Sequence, residues 1–540
     1  MERLESYVAG AWSAGRGKSH ELVNPATEEP IAETSTEGID LAAAVAFART
    51  EGGPALRALT FAERGALLRA MSRAAHAHRD ALLEVAITNG GNTRSDAKFD
   101  VDGAIGTLAY YADLGAQLGD ARLLVDGDGV QLGRSPRFFG QHILVPRPGV
   151  AVHINAFNFP AWGLAEKAAC AILAGMPVIT KPATSTALVA YRLMKIFTEH
   201  APLPRGALSF VAGPPGDLLD HLGGDDVLAF TGSSATGAAL RLLPGLARES
   251  VRLNVEADSL NGAVLGPDAA PGSETYAMFL RDVARDMTQK AGQKCTAIRR
   301  IFAPAEVVAA VRDDLVERLR EARVGDPSQD GVTVGPLTTA DQRRGVRAGI
   351  ERLAAGAAVA IGGSGPFEAA SARDGKGYFV PPTLLVAEGP DGAPAAHEHE
   401  VFGPVATLFP YDGSAARAAE LLCRGRGSLV CSVYSDDRAF AAEVLLGVAP
   451  YHGRVLLGSE KIADQAPGPG TVLPQTVHGG PGRAGGGEEL GGLRGLHLYS
   501  QRTAVQGARP ILEAILGARG GARADGAAAG GDAADRGRRG

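Results

Sequence analysis

The chain has 540 residues, of which 45% are hydrophobic, 72 are glycine and 32 are proline. It is too apolar to be disordered and too long for one small module, so we expect a multi-domain globular enzyme. A net charge of −6 arises from 54 basic and 60 acidic residues spread along the chain. This balance offers no electrostatic footprint for nucleic acid or an anionic membrane, so neither is an expected partner.

The N-terminal stretch MERLESYVAGAW contains an early acid and lacks the apolar region of a signal peptide. Charged residues interrupt every stretch of about 18 residues that is otherwise apolar. A cytoplasmic protein without a membrane segment is therefore expected. The cysteines form no CxxC pair, which argues against both a disulfide framework and a structural zinc site. A functional cysteine would therefore act as a thiol, and the candidates are Cys170, Cys295, Cys423 and Cys431.

In the middle of the chain, short apolar runs alternate with helical stretches. The predicted strands are 149–154, a run starting at Pro177, 207–213, 227–232 and VRLNVEA; the predicted helices are 162–174, 185–200 and 235–246, with another between the third and fourth strands. This alternation predicts a parallel sheet with helices on both faces. Ligands bind such sheets at the carboxyl ends of the strands, so functional residues are expected there.

After Asp258 the alternation restarts and predicts a second α/β domain, with a strand NGAVLG, a helix near 274–290, a strand TAIRRIFAP and a helix near 307–324. Between Arg122 and Pro148, turn-forming residues separate alternating apolar ones, which predicts a β-hairpin. A hairpin with an unpaired edge favours pairing with another subunit, so we expect a homodimer or a higher homo-oligomer. Residues 518–540 are only Ala, Gly, Arg and Asp, which predicts a disordered tail.

Cys295 lies in KAGQKCTAIRR, between a predicted helix and a predicted strand, where a side chain can face a cleft. Cys170 lies among alanines on a predicted helix, as expected of a small buried apolar residue. Lys294 next to Cys295 is expected to lower the pKa of the thiol and so favour the reactive thiolate. The local features leave a catalytic thiol and a buried apolar cysteine equally open.

Glu256 ends the run VRLNVEA, and a carboxylate at the end of a buried strand is costly unless it is paired or used. It fits either a structural cap or a general base that activates water. Asn158 follows the first strand of the alternating series, where an amide can stabilise an oxyanion, although asparagine also simply forms turns.

Lys181 lies at the exit of a predicted central strand, where its charge calls for a partner such as a phosphate or a ribose. The segment FTGSSATG, residues 230–237, leads from a strand through a glycine turn into a helix whose free amides can bind a diphosphate. The GxGxxG spacing is absent, and such a turn taken alone is more often only a turn.

Six motifs follow one another along the chain: AFNFP, TKPA, FTGSSATG, a strand ending in glutamate, GQKCTA and HEVFGPV, within a match that runs from NPATEEPIAE near Asn24 to about Gln506. In this order and at these spacings, they resemble the aldehyde dehydrogenase superfamily. The resemblance implies an α/β fold with a Rossmann-like cofactor domain, an α/β catalytic domain and a small β oligomerisation element. Their expected ranges are 1–121 with 149–255, then 256–477, then 122–148 with 478–507.

The resemblance also implies residue roles: Cys295 as the nucleophile, Glu256 as the base that activates water and Asn158 as the oxyanion donor. Lys181 and Ser233 would hold the ribose and diphosphate of the cofactor. Glu400 and Phe402 would position the nicotinamide half, and the remaining implied cofactor contacts are Phe157, Thr184, Gly232 and Ala257. The implied reaction oxidises an aldehyde to an acid through a cysteine thiohemiacetal and a thioester.

Departures from the family pattern narrow the resemblance: EADSLN stands where LGGK is usual, AFNFP replaces PWNFP, and HGGPGRAGGG replaces PFGGxKxSG. They resemble the branch that oxidises 3,4-dehydroadipyl-CoA semialdehyde in aerobic benzoyl-CoA degradation, and the aldehyde dehydrogenase half of the bifunctional ring-opening enzyme of phenylacetate degradation. A CoA-linked aldehyde is therefore the implied substrate. Because little besides the tail follows Gln506, a stand-alone enzyme is expected.

Many NAD-preferring members of the family carry Glu three residues after the TKPA lysine, whereas this chain has Thr184 there. A hydroxyl can donate to a phosphate near Lys181, so NADP is the expected cofactor, with NAD as the alternative. Rival functions are a CoA-acylating or general aldehyde dehydrogenase and an inactive binding protein of the same fold. A cofactor-free cysteine hydrolase is disfavoured because no histidine lies near these motifs in sequence.

Overall fold

The computed structural model describes residues 1–372, 375–518 and 522–523. Most of the expected disordered tail, 518–540, therefore lies outside the described residues. Among the described helices, none has both the length and the apolar character that a bilayer span requires.

The strands are, in chain order, β1 (Glu2–Val8), β2 (Ala11–Ala14), β3 (His20–Val23), β4 (Pro30–Thr34), β5 (Leu124–Gln131), β6 (Phe138–Pro146), β7 (Ala151–Ile154), β8 (Val178–Lys181), β9 (Leu208–Phe210), β10 (Val227–Thr231), β11 (Arg252–Glu256), β12 (Gly262–Leu265), β13 (Arg300–Pro304), β14 (Ala358–Ile361), β15 (Thr383–Val386), β16 (Val405–Tyr411), β17 (Ser428–Tyr434), β18 (His452–Gly458), β19 (Val477–Gly479), β20 (Glu488–Leu490), β21 (Ser500–Ala508) and β22 (Ala522–Arg523).

The helices are α1 (Leu41–Phe47), α2 (Gly53–Ala58), α3 (Phe61–Ala77), α4 (Arg79–Gly90), α5 (Arg94–Leu118), α6 (Pro160–Ala174), α7 (Ala187–His200), α8 (Ser234–Arg241), α9 (Pro244–Arg248), α10 (Glu274–Thr288), α11 (Val308–Arg320), α12 (Ala340–Ala354), α13 (Ala395–Glu398), α14 (Ala415–Cys423), α15 (Arg438–Val448) and α16 (Arg509–Ala518).

The first sheet has the strand order β11-β10-β7-β8-β9-β1-β4-β3, with β2 alongside β1. Its β7 to β11 are mutually parallel, which confirms the predicted alternating series. In register, Ile154 pairs with Lys181 and Thr231 pairs with Glu256, so the strand exits lie along one edge. The N-terminal strands that extend this sheet beyond β9 were not predicted from the sequence.

The second sheet has the order β14-β15-β16-β13-β12-β17-β18, and every pair in it is parallel except β14 with β15. Its β12 and β13 and the helices α10 and α11 confirm the predicted second α/β unit. Along the chain, β11 is the last strand of the first sheet and β12 is the first strand of the second. The segment between them therefore connects the two sheets.

Two helix predictions were wrong in detail. The helix expected between β9 and β10 is only a short 3₁₀ turn, Leu218–His221. The helix expected over 235–246 is divided into α8 and α9, because Pro244 lacks the N–H needed to continue a helix and instead begins the next one.

The predicted hairpin is confirmed as β5 and β6, which pair antiparallel with a register shift between Asp126 and Val130. Strand β21 pairs along β6 from Ser500 with Pro146 to Ala508 with Phe138. The resulting small sheet has the order β21-β6-β5-β22. The hairpin and the segment after β21 carry exposed apolar side chains, including Val130 at 55% and Ile511 at 60% exposure.

Helix α6 follows β7 directly and is buried on every side. The side chain of its N-cap residue, Phe159, makes no capping hydrogen bond. Instead, Asp100 on α5 accepts hydrogen bonds from the N–H groups of Ala161 at 3.3 Å and Trp162 at 2.8 Å. Burial raises the pKa of Asp100. A carboxylate from a neighbouring helix therefore caps α6 and fixes the turn that carries Asn158.

We expect Asp100→Ala to lower the free energy of unfolding by about 1 to 3 kcal/mol, because two buried N–H groups lose their acceptor. Thermal melting measures the effect, at about 2 to 4 °C per kcal/mol. The control is Asp113→Ala on the same helix, whose carboxylate is 65% exposed and pairs only with surface Arg69. Equal melting temperatures for the two variants would contradict the capping role of Asp100.

Candidate active site

A cavity of about 480 Å³ lies at the carboxyl ends of the first sheet. All the residues proposed from the sequence for catalysis and cofactor binding line it: Cys295, Glu256, Asn158, Phe157, Lys181, Thr184, Gly232, Ser233, Ala257, Glu400 and Phe402. Residues separated by up to about half of the chain thus meet at one place. The exits of β7, β8, β10 and β11 bring most of them together.

Cys295 follows a loop with an unusual backbone. Lys290, Ala291 and Gly292 are consecutive residues in the left-handed region, with φ of 54°, 50° and 67°. A Cβ atom at position 292 would lie 2.1 Å from the carbonyl oxygen of Gly403, so only glycine fits there. Such strain persists when the surroundings hold it, and it clusters at functional sites.

Arg299 holds this loop in place. Its guanidinium donates to the carbonyl oxygens of Gly292 at 2.8 Å, Lys294 at 3.2 Å and Gly403 at 2.7 Å. Asn261 complements it by donating to the carbonyl oxygen of Cys295 at 2.8 Å. Sequence reasoning missed Arg299, although an arginine pair in the predicted buried run TAIRRIFAP was a visible signal.

The expected role of Lys294 was wrong. Its ammonium donates to Asp286 at 2.6 Å and to Gln289 at 2.9 Å, and the Lys294–Asp286 pair is buried. Because its charge is already paired with Asp286, it does not activate the thiol. Burial, followed by the negative charge of Glu256, raises the pKa of Cys295 well above its ordinary value.

Glu256 ends β11 and faces a histidine that the sequence analysis did not include. His478 on β19 places Nε2 3.2 Å from Glu256 Oε2 and 3.9 Å from Cys295 Sγ, and both Glu256 and His478 are only 2% exposed. Burial raises the pKa of Glu256, but His478 and Lys167 outweigh it and lower the pKa overall.

The expectation of no histidine near the catalytic motifs was wrong: His399 begins the motif HEVFGPV, and His478 contacts Cys295 in space. The signal was present in the departure from the family pattern, since HGG stands at 478–480 where the family carries PFGG. The histidine ring also packs edge-on against Trp162, with the ring centroids 5.7 Å apart.

A buried charge cluster adjoins Glu256. Lys167 lies 2.6 Å from Glu166 and 3.1 Å from Glu489, while Asn254 donates to Glu489 at 3.1 Å. Burial raises the pKa of both Glu166 and Glu489. Carboxylate oxygens of Glu166, Glu256 and Glu489 all lie within 4.8 Å of one another. This cluster was also missed, although a charged Glu-Lys pair inside the apolar run WGLAEKAACAILA was a signal.

Asn158 faces the cysteine loop, because its side-chain amide donates to the carbonyl oxygen of Gln293 at 3.0 Å. The Gln293 side chain in turn accepts from the backbone N–H of Thr338 at 3.1 Å. One amide hydrogen of Asn158 is thus used to hold the loop, which leaves the other for a ligand.

The other end of the cavity carries the residues proposed to bind the cofactor. Lys181 donates to the carbonyl oxygen of Pro182 at 3.1 Å, and burial lowers its pKa to about 8. Ser233 caps α8 by accepting from the N–H of Thr236 at 3.2 Å. Gly232 donates to the carbonyl oxygen of Glu256 at 3.1 Å, which links the glycine turn to the catalytic strand.

Glu400 and Phe402 lie on the segment that Arg299 holds. Glu400 accepts from the N–H of Ser259 at 3.3 Å. Burial raises its pKa to about 7, against the opposing charge of Arg299. The Phe402 ring meets Phe157 edge to face, with centroids 5.8 Å apart at 86°. The two rings form an apolar wall within the cavity.

A second cavity, of about 590 Å³, also reaches Cys295. Helix α5 contributes Lys98, Gly103 and Gly106 to its wall, and α6 contributes Trp162. The remainder of the wall includes 470–475. Cys295 therefore lies between two cavities, and one of them holds none of the proposed cofactor-binding residues.

The profile of the aldehyde dehydrogenase family matches residues 12–505. The chain is 47% identical over 479 residues to 3,4-dehydroadipyl-CoA semialdehyde dehydrogenase of Aromatoleum evansii, covering 89% of this chain and 93% of that protein. It is 28% identical to glutarate-semialdehyde dehydrogenase of Pseudomonas putida, covering 76% of this chain and 81% of the relative. The NAD+ complex of an aldehyde dehydrogenase from Bacillus cereus has the same fold, with a TM-score of 0.81 at 24% identity over 94% of this chain and 97% of that one. The chain therefore belongs to the aldehyde dehydrogenase family, whose members oxidise aldehydes with NAD(P).

Proposed function

We propose that this enzyme oxidises a CoA-linked semialdehyde, 3,4-dehydroadipyl-CoA semialdehyde, to the acid with NADP as the preferred cofactor. The observation that carries the substrate is the 47% identity to the Aromatoleum evansii enzyme of that name over almost its full length. The cavity geometry supports the chemistry, since a thiol, a carboxylate and an amide converge within it.

In the proposed mechanism, the Cys295 thiolate attacks the aldehyde carbon. The free amide hydrogen of Asn158 and the backbone N–H of Cys295 stabilise the oxyanion that forms. The bound cofactor supplies the hydride acceptor, and the acyl group remains on Cys295 as a thioester. Glu256 then takes a proton from water, which attacks the thioester and releases the acid.

The cavity fits a phosphate-bearing dinucleotide. Lys181 is a buried cation whose hydrogen bond goes to a carbonyl of its own segment, so it can turn to an anionic group. At the N-terminus of α8, the N–H of Ser234 donates to Asp258 at 2.8 Å, and a diphosphate would bind there in place of that carboxylate. Glu400 would accept from a ribose hydroxyl, and the Phe157–Phe402 wall would contact the nicotinamide ring.

We expect Cys295→Ala to abolish NADPH formation, because the nucleophile is lost. Glu256→Gln should give a burst of about one NADPH per site and then slow turnover by about 100-fold or more, because water is no longer activated. Stopped-flow absorbance separates the two phases, and Cys423→Ala serves as the thiol control.

Full turnover by either variant would contradict these assignments. Repeating the assay with free coenzyme A tests the rival CoA-acylating reaction: if free coenzyme A is required for turnover, the hydrolytic mechanism is wrong.

The second cavity suits a long substrate. Gly103 and Gly106 leave room within the wall formed by α5, and a Cβ atom at Gly106 would meet nothing within 4 Å. Lys98 on the same wall provides a positive charge that can meet a phosphate of coenzyme A, while the Asp102 carboxylate on this wall is paired with Arg79. The cavity thus favours an acyl chain carried on a bulky anionic group over a small aldehyde.

Gly106→Leu should lower kcat/KM for the CoA-linked semialdehyde by about 100-fold, because the leucine displaces the acyl chain from its path to Cys295. For propanal, kcat/KM should change by no more than about twofold, since a short aldehyde needs less of the cavity. Ala116→Leu, at an exposed position of α5, is the matched control. Equal losses for both substrates would contradict a role for this wall in substrate selection.

The proposed preference for NADP depends on Thr184, which lines the cavity beside Lys181. A hydroxyl at this position donates to a 2′-phosphate, whereas a carboxylate would repel it and accept from ribose hydroxyls.

Thr184→Glu should therefore lower kcat/KM for NADP by about tenfold or more and raise it for NAD. Thr184→Ser, which keeps the hydroxyl, should behave like the parent enzyme. The measurement is initial rate against each cofactor with one aldehyde, and a strong NAD preference of the parent enzyme would overturn the proposal.

We further propose a cytoplasmic homodimer or higher oligomer. The domain division is 1–121 with 149–255 for the cofactor, 256–477 for catalysis, and 122–148 with 478–507 for assembly. Support comes from the small sheet of β5, β6 and β21, whose edge strand β21 is largely exposed. Exposed Phe138 and Ile511 lie on or next to this sheet, as an interface between subunits would require.

A further inference from the structure

We propose that His478 accepts the proton of the Cys295 thiol, so that thiol activation and water activation belong to two different residues of one buried cluster. The inference rests on the proposed function, in which Cys295 is the nucleophile and Glu256 activates water.

The geometry gives His478 access to both partners. Its Nε2 lies 3.9 Å from Cys295 Sγ, within hydrogen-bond range for sulfur, and 3.2 Å from Glu256 Oε2. One acceptor atom from each of the three side chains lies within 4.8 Å of the others. The neutral imidazole that carries its hydrogen on Nδ1 can take the thiol proton at Nε2, and the Nε2–H that forms then donates to the Glu256 carboxylate.

The two nearby lysines are paired elsewhere and are not free to stabilise a Cys295 thiolate. Lys294 is paired with Asp286, and Lys167 lies between Glu166 and Glu489. Glu489 is the register partner of His478 across the β19–β20 pair, so it too faces the imidazole side of the cluster. A protonated His478 is therefore surrounded by carboxylates, which stabilise the charge that forms when the thiol ionises.

The thiol needs such a base, because burial and the charge of Glu256 oppose its ionisation. If Glu256 took this proton itself, it would hold it when the water had to be activated. With His478 as the acceptor, Glu256 stays ionised until hydrolysis.

The proton balance closes over one turnover. The S–H bond of Cys295 breaks, its proton binds to His478 Nε2, and the sulfur electron pair forms the C–S bond to the aldehyde carbon. Hydride leaves to the cofactor. Glu256 takes a proton from water, the hydroxyl adds to the thioester carbon and the C–S bond breaks. The departing thiolate recovers its proton from His478, and Glu256 releases the proton of water to solvent.

The test is the rate at which iodoacetamide alkylates Cys295 between pH 5 and pH 10, followed by mass spectrometry of the peptide that contains it. In the parent enzyme, the rate should rise through a step that lies below the ordinary pKa of a thiol, which is about 8.5. His478→Phe, which restores the residue of the common family pattern, should lose this step and react only above about pH 8.5. At pH 7, its rate should be lower by at least about tenfold.

His478→Gln keeps a polar side chain and should show the same loss, while His76→Gln, on the exposed face of α3, should leave the profile unchanged. A parent profile with a single rise above about pH 8.5 would overturn the proposal, whether or not the variants fold. An unchanged profile in folded His478→Phe would also overturn it.

Alkylation requires neither cofactor nor aldehyde, so the result does not depend on whether the proposed substrate or cofactor is correct. Failure of the proposed function would appear in turnover assays, whereas failure of the role of His478 would appear only in the alkylation profile.

Discussion

The active site depends on one guanidinium. Arg299 binds the carbonyl oxygens of Gly292, Lys294 and Gly403, and so ties the loop before Cys295 to the segment that carries Glu400 and Phe402. Three consecutive left-handed residues cannot hold this loop by their own preferences. Arginine suits the task because its planar fork donates in several fixed directions, which the point charge of a lysine does not. The same contact thus fixes the nucleophile relative to the proposed nicotinamide site.

Several buried charged side chains lie next to the loop that Arg299 holds. Three carboxylates, a lysine and a histidine lie behind the thiol, each with a polar neighbour of opposite or complementary character. Burying charged groups costs free energy unless they are paired, and buried ionisable groups are concentrated at functional sites. The cluster draws its members from α6, β11, β19 and β20, so folding of distant segments is a condition for its existence.

The alternation of apolar runs was sufficient to predict the parallel strands and the location of the site at their exits, because hydrophobic periodicity is local and alternating strands and helices favour a parallel sheet. Motifs at those exits identified most of the proposed residues, and the motifs GQKCTA and HEVFGPV supplied Cys295, Glu400 and Phe402, all of which line the cavity. Arg299, His478 and Glu489 were missed because their roles arise from contacts across more than one hundred positions or from backbone geometry. The pairing of Lys294 with Asp286 likewise depends on where α10 ends, which local charge alone does not reveal.

The placement of Cys295 between two cavities has a consequence for the order of events. Under the proposed assignment of the two cavities, the dinucleotide would reach the sulfur from one side and the aldehyde from the other, so neither would have to pass the other. A reduced cofactor can therefore depart while the acyl group is still bound to sulfur, which clears space next to the thioester for water. A substrate with a large head group can also remain anchored outside throughout the cycle, with only its reactive end reaching the buried thiol.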